Sequence, residues 1–142
     1  MSRIRVLIAI LGMDQHELGA VAISRLFRDG GMEVIYAGRF NLPPMIVKMA
    51  VEEDVDVIGL SCHSWEYLYY IPELITLLKE RELSIPVILG GSVITSQDQK
   101  SLMAKGVAAA FGPTSSTEEI IQTIKRMVGE KEQVTIPGSE EK

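Results

Sequence analysis

The chain has 142 residues, 46% of them hydrophobic and 23% charged, with a formal charge of −5 at pH 7. That length suits one domain with a core of its own. The acidic balance argues against a broad nucleic-acid or anionic-membrane surface, which needs clustered Lys and Arg, and no apolar stretch approaches the roughly 20 residues that span a bilayer.

In chain order, Arg3 and Arg5 lead into the apolar run Ile4–Ile10. No cleavage-type segment follows it, so no secretory leader is expected. The stretch G-M-D-Q-H-E-L-G (12–19) comes next and places Asp14 and His16 in the turn to the first helix. Leu18, Val21, Ala22 and Leu26 are expected to form one face of that helix, and Gly30-Gly31 to end it. A second strand spans Met32–Ala37. Pro43-Pro44 opens the second helix, which runs to about Glu53. The third strand, Val55–Leu60, is followed by S-C-H-S at 61–64. Leu68, Ile71, Ile75 and Leu78 keep helical spacing, and Pro72 inside that pattern means the helix starts near Ile71 or is kinked there. Strand four, Pro86–Leu89, ends on Gly90-Gly91. Ser96 with Gln99, and Ser116 with Glu119, have capping-box spacing and open the helices on either side of strand five, Val107–Phe111. After Gly129 the sequence E-K-E-Q-V-T-I-P-G-S-E-E-K is polar and expected to fray. The domain is therefore taken as 1–129 and the flexible tail as 130–142.

The apolar runs are short, rich in Val and Ile, and do not alternate with polar residues, as in strands covered on both faces. Alternating strands and helices of this length predict an α/β, flavodoxin-like doubly wound fold: a five-stranded parallel sheet in the order 2-1-3-4-5. Ligands of such sheets bind beyond the carboxyl ends of the strands, at the switch point between strands one and three. The unusual residues fall there. Asp14 and His16 follow strand one; Ser61, Cys62 and His63 follow strand three. Both histidines of the chain thus belong to one predicted crevice.

Each residue has a plain and a functional reading. A loop histidine is commonly solvated or capping, yet Asp14 is near enough to fix the His16 tautomer and leave the other ring nitrogen to a metal. Gly19 either permits close helix–strand packing or clears the first helical turn for a ligand. Ser61 is a turn residue or a ligand hydrogen bond. Cys62, the single cysteine, excludes an internal disulfide, fits a reducing cytosol, and is by default a small buried hydrophobe. A site of Asp14, His16, Cys62 and His63 for zinc or iron is chemically permitted, but its spacing matches no familiar zinc pattern. Gly90-Gly91 makes a tight turn or lets a bulky group lie against the backbone. Trp65, Tyr67, Tyr69 and Tyr70 pack their helix or present a partner surface. No G-x-S-x-G elbow and no dinucleotide fingerprint occur. A phospho-acceptor Asp is missing at the end of strand three, where Ser61 stands.

Taken together, Asp14-x-His16-x-x-Gly19, then Ser61-x-His63, then Gly90-Gly91 resembles the cobalamin-binding domain signature D-x-H-x-x-G … S-x-L … G-G. Spacing agrees too: 41 residues separate Gly19 from Ser61 (20–60), and 26 separate His63 from Gly90 (64–89). Stretches such as D-G-G-M-E-V-I-Y-A-G and G-V-A-A-A-F-G-P look like the methylmalonyl-CoA mutase type, and the likeness extends from Arg3 to about Val128. It implies adenosylcobalamin bound base-off, with His16 as the lower cobalt ligand and Asp14 orienting it. Ser61 would hydrogen-bond the displaced base. Gly19, Gly90 and Gly91 would leave room for the nucleotide tail, and Gln15, Cys62 and His63 join the cofactor-binding set.

The implied role is the cobalamin-binding small subunit of an acyl-CoA mutase, an isomerase not catalytic alone, in the cytoplasm. A large subunit would supply the substrate barrel and the acyl-CoA. Two departures stand out. Ile10 occupies a position where mutase-type members often carry Lys, and Ser61-Cys62-His63 replaces Ser-x-Leu ahead of the bulky S-W-E-Y-L-Y-Y. The alternatives are a corrinoid carrier for methyl transfer, which usually has a helical cap ahead of this domain, and a non-catalytic cobalamin-responsive module. Here the first strand begins near residue 3.

Overall fold

A computed structural model describes residues 3–12, 17–62, 67–91, 94–112 and 115–135, with side chains as far as 129. Five units of strand and helix follow in order. They are β1 (Arg5–Leu11), α1 (Leu18–Asp29), β2 (Glu33–Asn41), α2 (Pro43–Glu52), β3 (Val57–Ser61), α3 (Tyr67–Glu80), β4 (Val87–Gly90), α4 (Ser96–Ala104), β5 (Ala109–Phe111) and α5 (Thr117–Thr135). The strands are parallel and ordered β2-β1-β3-β4-β5, the flavodoxin-like arrangement expected. A parallel sheet needs crossover helices on its faces, which is why its strands are apolar on both sides.

Period-two alternation divides the core in two. Leu7, Ala9, Leu11, Ile58, Leu60, Cys62, Val87 and Leu89 point to one face and close against Ile46, Val47, Ile71, Leu74 and Leu102 of α2, α3 and α4. Val6, Ile8, Ile10, Val57 and Ile88 point to the other, against Ala20 and Phe27 of α1 and Ile121, Ile124 and Val128 of α5. Ile10 is fully buried there.

Several local expectations shift. The inward face of α1 is Ala20, Ser24 and Phe27, while Leu18 is 87% exposed and Val21 and Leu26 also face out. Two apolar stripes compete on this helix, and the sheet takes the one carrying the larger ring. In α3 the buried set is Tyr67, Ile71, Leu74, Ile75 and Leu78, and Leu68 lies exposed; the helix begins at Tyr67 with Pro72 inside it. The α4 box is Thr95 with Asp98, one residue ahead of Ser96 and Gln99: the Asp98 amide donates to the Thr95 hydroxyl, and the Thr95 amide to the Asp98 carboxylate. An anion in the first turn suits the helix dipole better than the neutral amide of Gln99 does. The box of Ser116 and Glu119 at α5 is as expected. Helix α5 passes Gly129 and continues to Thr135; residues 136–142 of the expected tail lie outside the described residues. Among the described residues no helix is long and apolar enough to cross a membrane.

Candidate functional site

The carboxyl ends of β1, β3 and β4 are in register along one row, Ile10 beside Ser61 and Ser61 beside Gly90; one step back stand Ile8, Gly59 and Ile88. All six lie on the sheet face that meets α1 and α5. Three of these six positions therefore carry glycine or serine where the rest of that face carries Val and Ile. The missing volume is visible as a cavity of about 180 Å³ between the sheet and the two helices. Its lining includes Gly59, Ser61, Gly90 and Gly91 from the central strands, Gly19, Ile23 and Phe27 from α1, and Phe111, Gly112 and Ile120 from the β5–α5 side.

The glycines have different duties. A Cβ at Gly90 would meet no heavy atom within 4 Å, so the strand borders open space there. A Cβ at Gly91 would lie 1.5 Å from the Cys62 carbonyl oxygen. Gly91 thus lets β4 close on β3, where the Cys62 amide donates to the Gly90 carbonyl at 2.7 Å. Ser61 is 9% exposed and lines the cavity; Cys62 is buried on the opposite face, beside α3. Gly19 also borders the cavity. Asp14, Gln15, His16 and His63 lie outside the described residues, as does Trp65. Among the described residues no group of three or more His, Cys, Asp or Glu is placed to hold a metal ion.

Sequence reasoning passed over Gly59, Phe27 and Phe111. Gly59 had a readable signal, because an isolated glycine inside V-I-G-L-S marks close approach of another group to the strand. The aromatic segment divides. Tyr67 is buried, and its hydroxyl donates to Asp98 at 2.9 Å. Tyr69 is 71% exposed and meets Tyr70 edge-on at 5.1 Å. Burial first, then the Asp98 carboxylate, pushes the Tyr67 phenol well above its ordinary value. The same hydrogen bond, with those from Thr95, holds Asp98 below the usual carboxylate range.

An apolar slot at the carboxyl ends of the strands, lined by glycines and one serine, is where a sheet of this kind binds a ligand. Residues 4–122 match the B12 binding domain family, and the chain belongs to it. It is 36% identical to the pivalyl-CoA mutase small subunit of Xanthobacter autotrophicus over 121 residues, 85% of this chain and 81% of that one. It is 35% identical to the 2-hydroxyisobutanoyl-CoA mutase small subunit of Aquincola tertiaricarbonis over 125 residues, 88% and 92% of the two chains. A cobalamin-binding protein from Desulfitobacterium hafniense DCB-2 shares the fold with a TM-score of 0.75 at 21% identity, covering 87% of this chain and 58% of that one. The residues present fit the cofactor. The open space at Gly90 would admit a heteroaromatic base, and Ser61, which borders the same cavity, would be its polar partner.

Proposed function

We propose that this chain is the cobalamin-binding small subunit of an adenosylcobalamin-dependent acyl-CoA mutase, of the methylmalonyl-CoA mutase-like carbon-skeleton type. The observation that carries the reading is the slot bordered by Gly59, Ser61 and Gly90 on one sheet face, at the carboxyl ends of β3 and β4. The family and the two mutase small subunits support it. Bound adenosylcobalamin supplies the radical chemistry of an intramolecular group transfer. This chain holds the cofactor and is not catalytic alone; the acyl-CoA is held by a large partner subunit.

Within that reading, the slot takes the displaced dimethylbenzimidazole and its nucleotide tail. Ser61 hydrogen-bonds the base, Gly90 and Gly19 leave room along the tail, and Gly91 keeps the β3–β4 floor closed beneath it. His16 is the lower cobalt ligand and Asp14 orients its ring, as imidazole ligands are usually held by a hydrogen bond from the other nitrogen. Gln15, Cys62 and His63 complete the cofactor-binding set. The cofactor unit is residues 1–129, residues 130–142 lie beyond it, and the complex is cytoplasmic. The test is an absorbance titration of the purified chain with cobalamin. A shift to the base-off, histidine-ligated spectrum is expected for wild type and is expected to be absent for His16→Ala. Identical spectra for the two proteins would remove His16 as the ligand. Co-purification with a large acyl-CoA mutase subunit tests the partner.

A further inference from the structure

The turn that carries Asp14 and His16 leaves β1 at Gly12 and enters α1 at Glu17, and both ends are tied to the same neighbour. Pairing of β1 with β2 is regular from Arg5 and Glu33 to Ile8 and Tyr36, then shifts twice, so that Ala9 meets Gly38 and Leu11 meets Asn41. The shift is made by two residues in the left-handed region, Gly38 at φ 75° and Phe40 at φ 66°. Phe40 has a Cβ and no polar side chain, so that conformation is costly unless neighbouring contacts hold it.

What the irregular end achieves is visible in its contacts. Asn41 turns inward and is 3% exposed. Its side-chain amide donates to the carbonyls of Gly38 at 2.7 Å and Ile10 at 3.3 Å, and its own carbonyl accepts from the Gly12 amide at 2.8 Å. On the other flank, Glu17 occupies the cap position of α1, yet its carboxylate makes no capping hydrogen bond. It reaches across to β2 instead. The Tyr36 hydroxyl donates to Glu17 Oε2 at 2.5 Å, and Arg39 Nε lies 3.5 Å from Oε1. Arg39 is held in turn over the Phe40 ring, 5.0 Å from its centroid. A carboxylate diverted from its own helix and received by two donors on a distorted strand is an arrangement for locating the residue that bears it.

We propose that the irregular carboxyl end of β2 is a positioning device for His16, in which Asn41 fixes the turn at Gly12 while Tyr36 and Arg39 fix it at Glu17. The proposal rests on the reading of His16 as the cobalt ligand. Holding the flanking residues Gly12 and Glu17 in place would lower the ordering cost left to cofactor binding. Tyr36, Arg39 and Asn41 are positioning residues; none has to touch the corrinoid.

The experiment uses the full chain, labelled with ¹⁵N-histidine and loaded with cob(II)alamin, read by the nitrogen splitting in its electron paramagnetic resonance spectrum and by the cobalamin dissociation constant. Wild type is expected to show splitting from a histidine nitrogen. Tyr36→Phe and Glu17→Gln are expected to weaken cobalamin binding by about ten- to a hundredfold, the usual range for partners that orient a metal ligand, and to reduce the histidine splitting. Glu33→Gln is the control. It breaks an exposed ion pair with Arg5 (2.7 Å) at the regular end of the same strand pair, and neither readout should move. Tyr36→Phe keeps the ring and carries the test if Glu17→Gln does not fold. Wild-type affinity and splitting in Tyr36→Phe and Glu17→Gln would overturn the positioning role alone. Absence of histidine splitting in wild type would overturn the ligand assignment, and the positioning role with it.

Discussion

The two faces of the sheet are built from alternate residues of the same strands, yet only one of them is closed. Toward α2, α3 and α4, every position from Leu7 to Leu89 carries a side chain that meets a partner. Toward α1 and α5, the pattern lapses at Gly59, Ser61 and Gly90, and all three border the cavity, with open space directly at Gly90. The lesson is a division of labour. One face supplies the burial that makes the fold stable, and the other can leave out volume for a ligand because the first does not.

That comparison can be broken from either side. The largest effect is expected where the two faces are joined. Gly91→Ala puts a Cβ 1.5 Å from the Cys62 carbonyl oxygen, backbone that cannot swing aside. β4 would have to part from β3, at a cost beyond the roughly 1–3 kcal/mol usual for overpacking. Urea unfolding should show a protein barely folded or insoluble. Next comes the closed face. Leu74 is fully buried, and Leu74→Ala should cost about 2–5 kcal/mol, while the folded fraction binds cobalamin as wild type does. Gly59→Ala is gentler. Its Cβ would lie 2.9 Å from Ile8 Cδ1, the far end of a flexible side chain, so about 1 kcal/mol is expected, with weaker cofactor binding as the slot narrows.

The smallest effect concerns pH. Asp98 is held below the usual carboxylate range by the Tyr67 hydroxyl and by Thr95. A depressed carboxylate stabilises the fold above its unfolded-state value, and that contribution is lost as pH falls through its lower folded value. Tyr67→Phe removes the largest cause of the depression. The stability gap between wild type and Tyr67→Phe should therefore be wider near neutrality than in acid, as thermal melts at several pH values would show. A gap independent of pH would mean that the hydroxyl acts through packing alone.

The strand order was legible because unbroken apolar runs alternating with helical ones leave few topologies. Much of the slot was legible through Ser61 and Gly90-Gly91. Helix faces were less so. Leu18, Val21, Ala22 and Leu26 are as periodic as Ala20, Ser24 and Phe27, and only the shape of the sheet below decides between them. The α4 cap slipped by one residue because Thr95 and Ser96 both open a capping frame, with Asp98 and Gln99 respectively. The far end of β2 could not be read either. Gly38 and the polar Arg39 look like the end of a strand, whereas tertiary contacts through Asn41 carry the pairing on to Leu11.

One measurement goes to the centre. Gly90→Leu puts a branched side chain into the cavity from a position where a Cβ meets no protein atom within 4 Å, and a thermal melt close to wild type is the check that the fold is kept. If the open face is the cofactor's place, this variant titrated with cobalamin should show no histidine-ligated spectrum and only weak binding. A Gly90→Leu protein that binds cobalamin with wild-type affinity and spectrum would contradict the account.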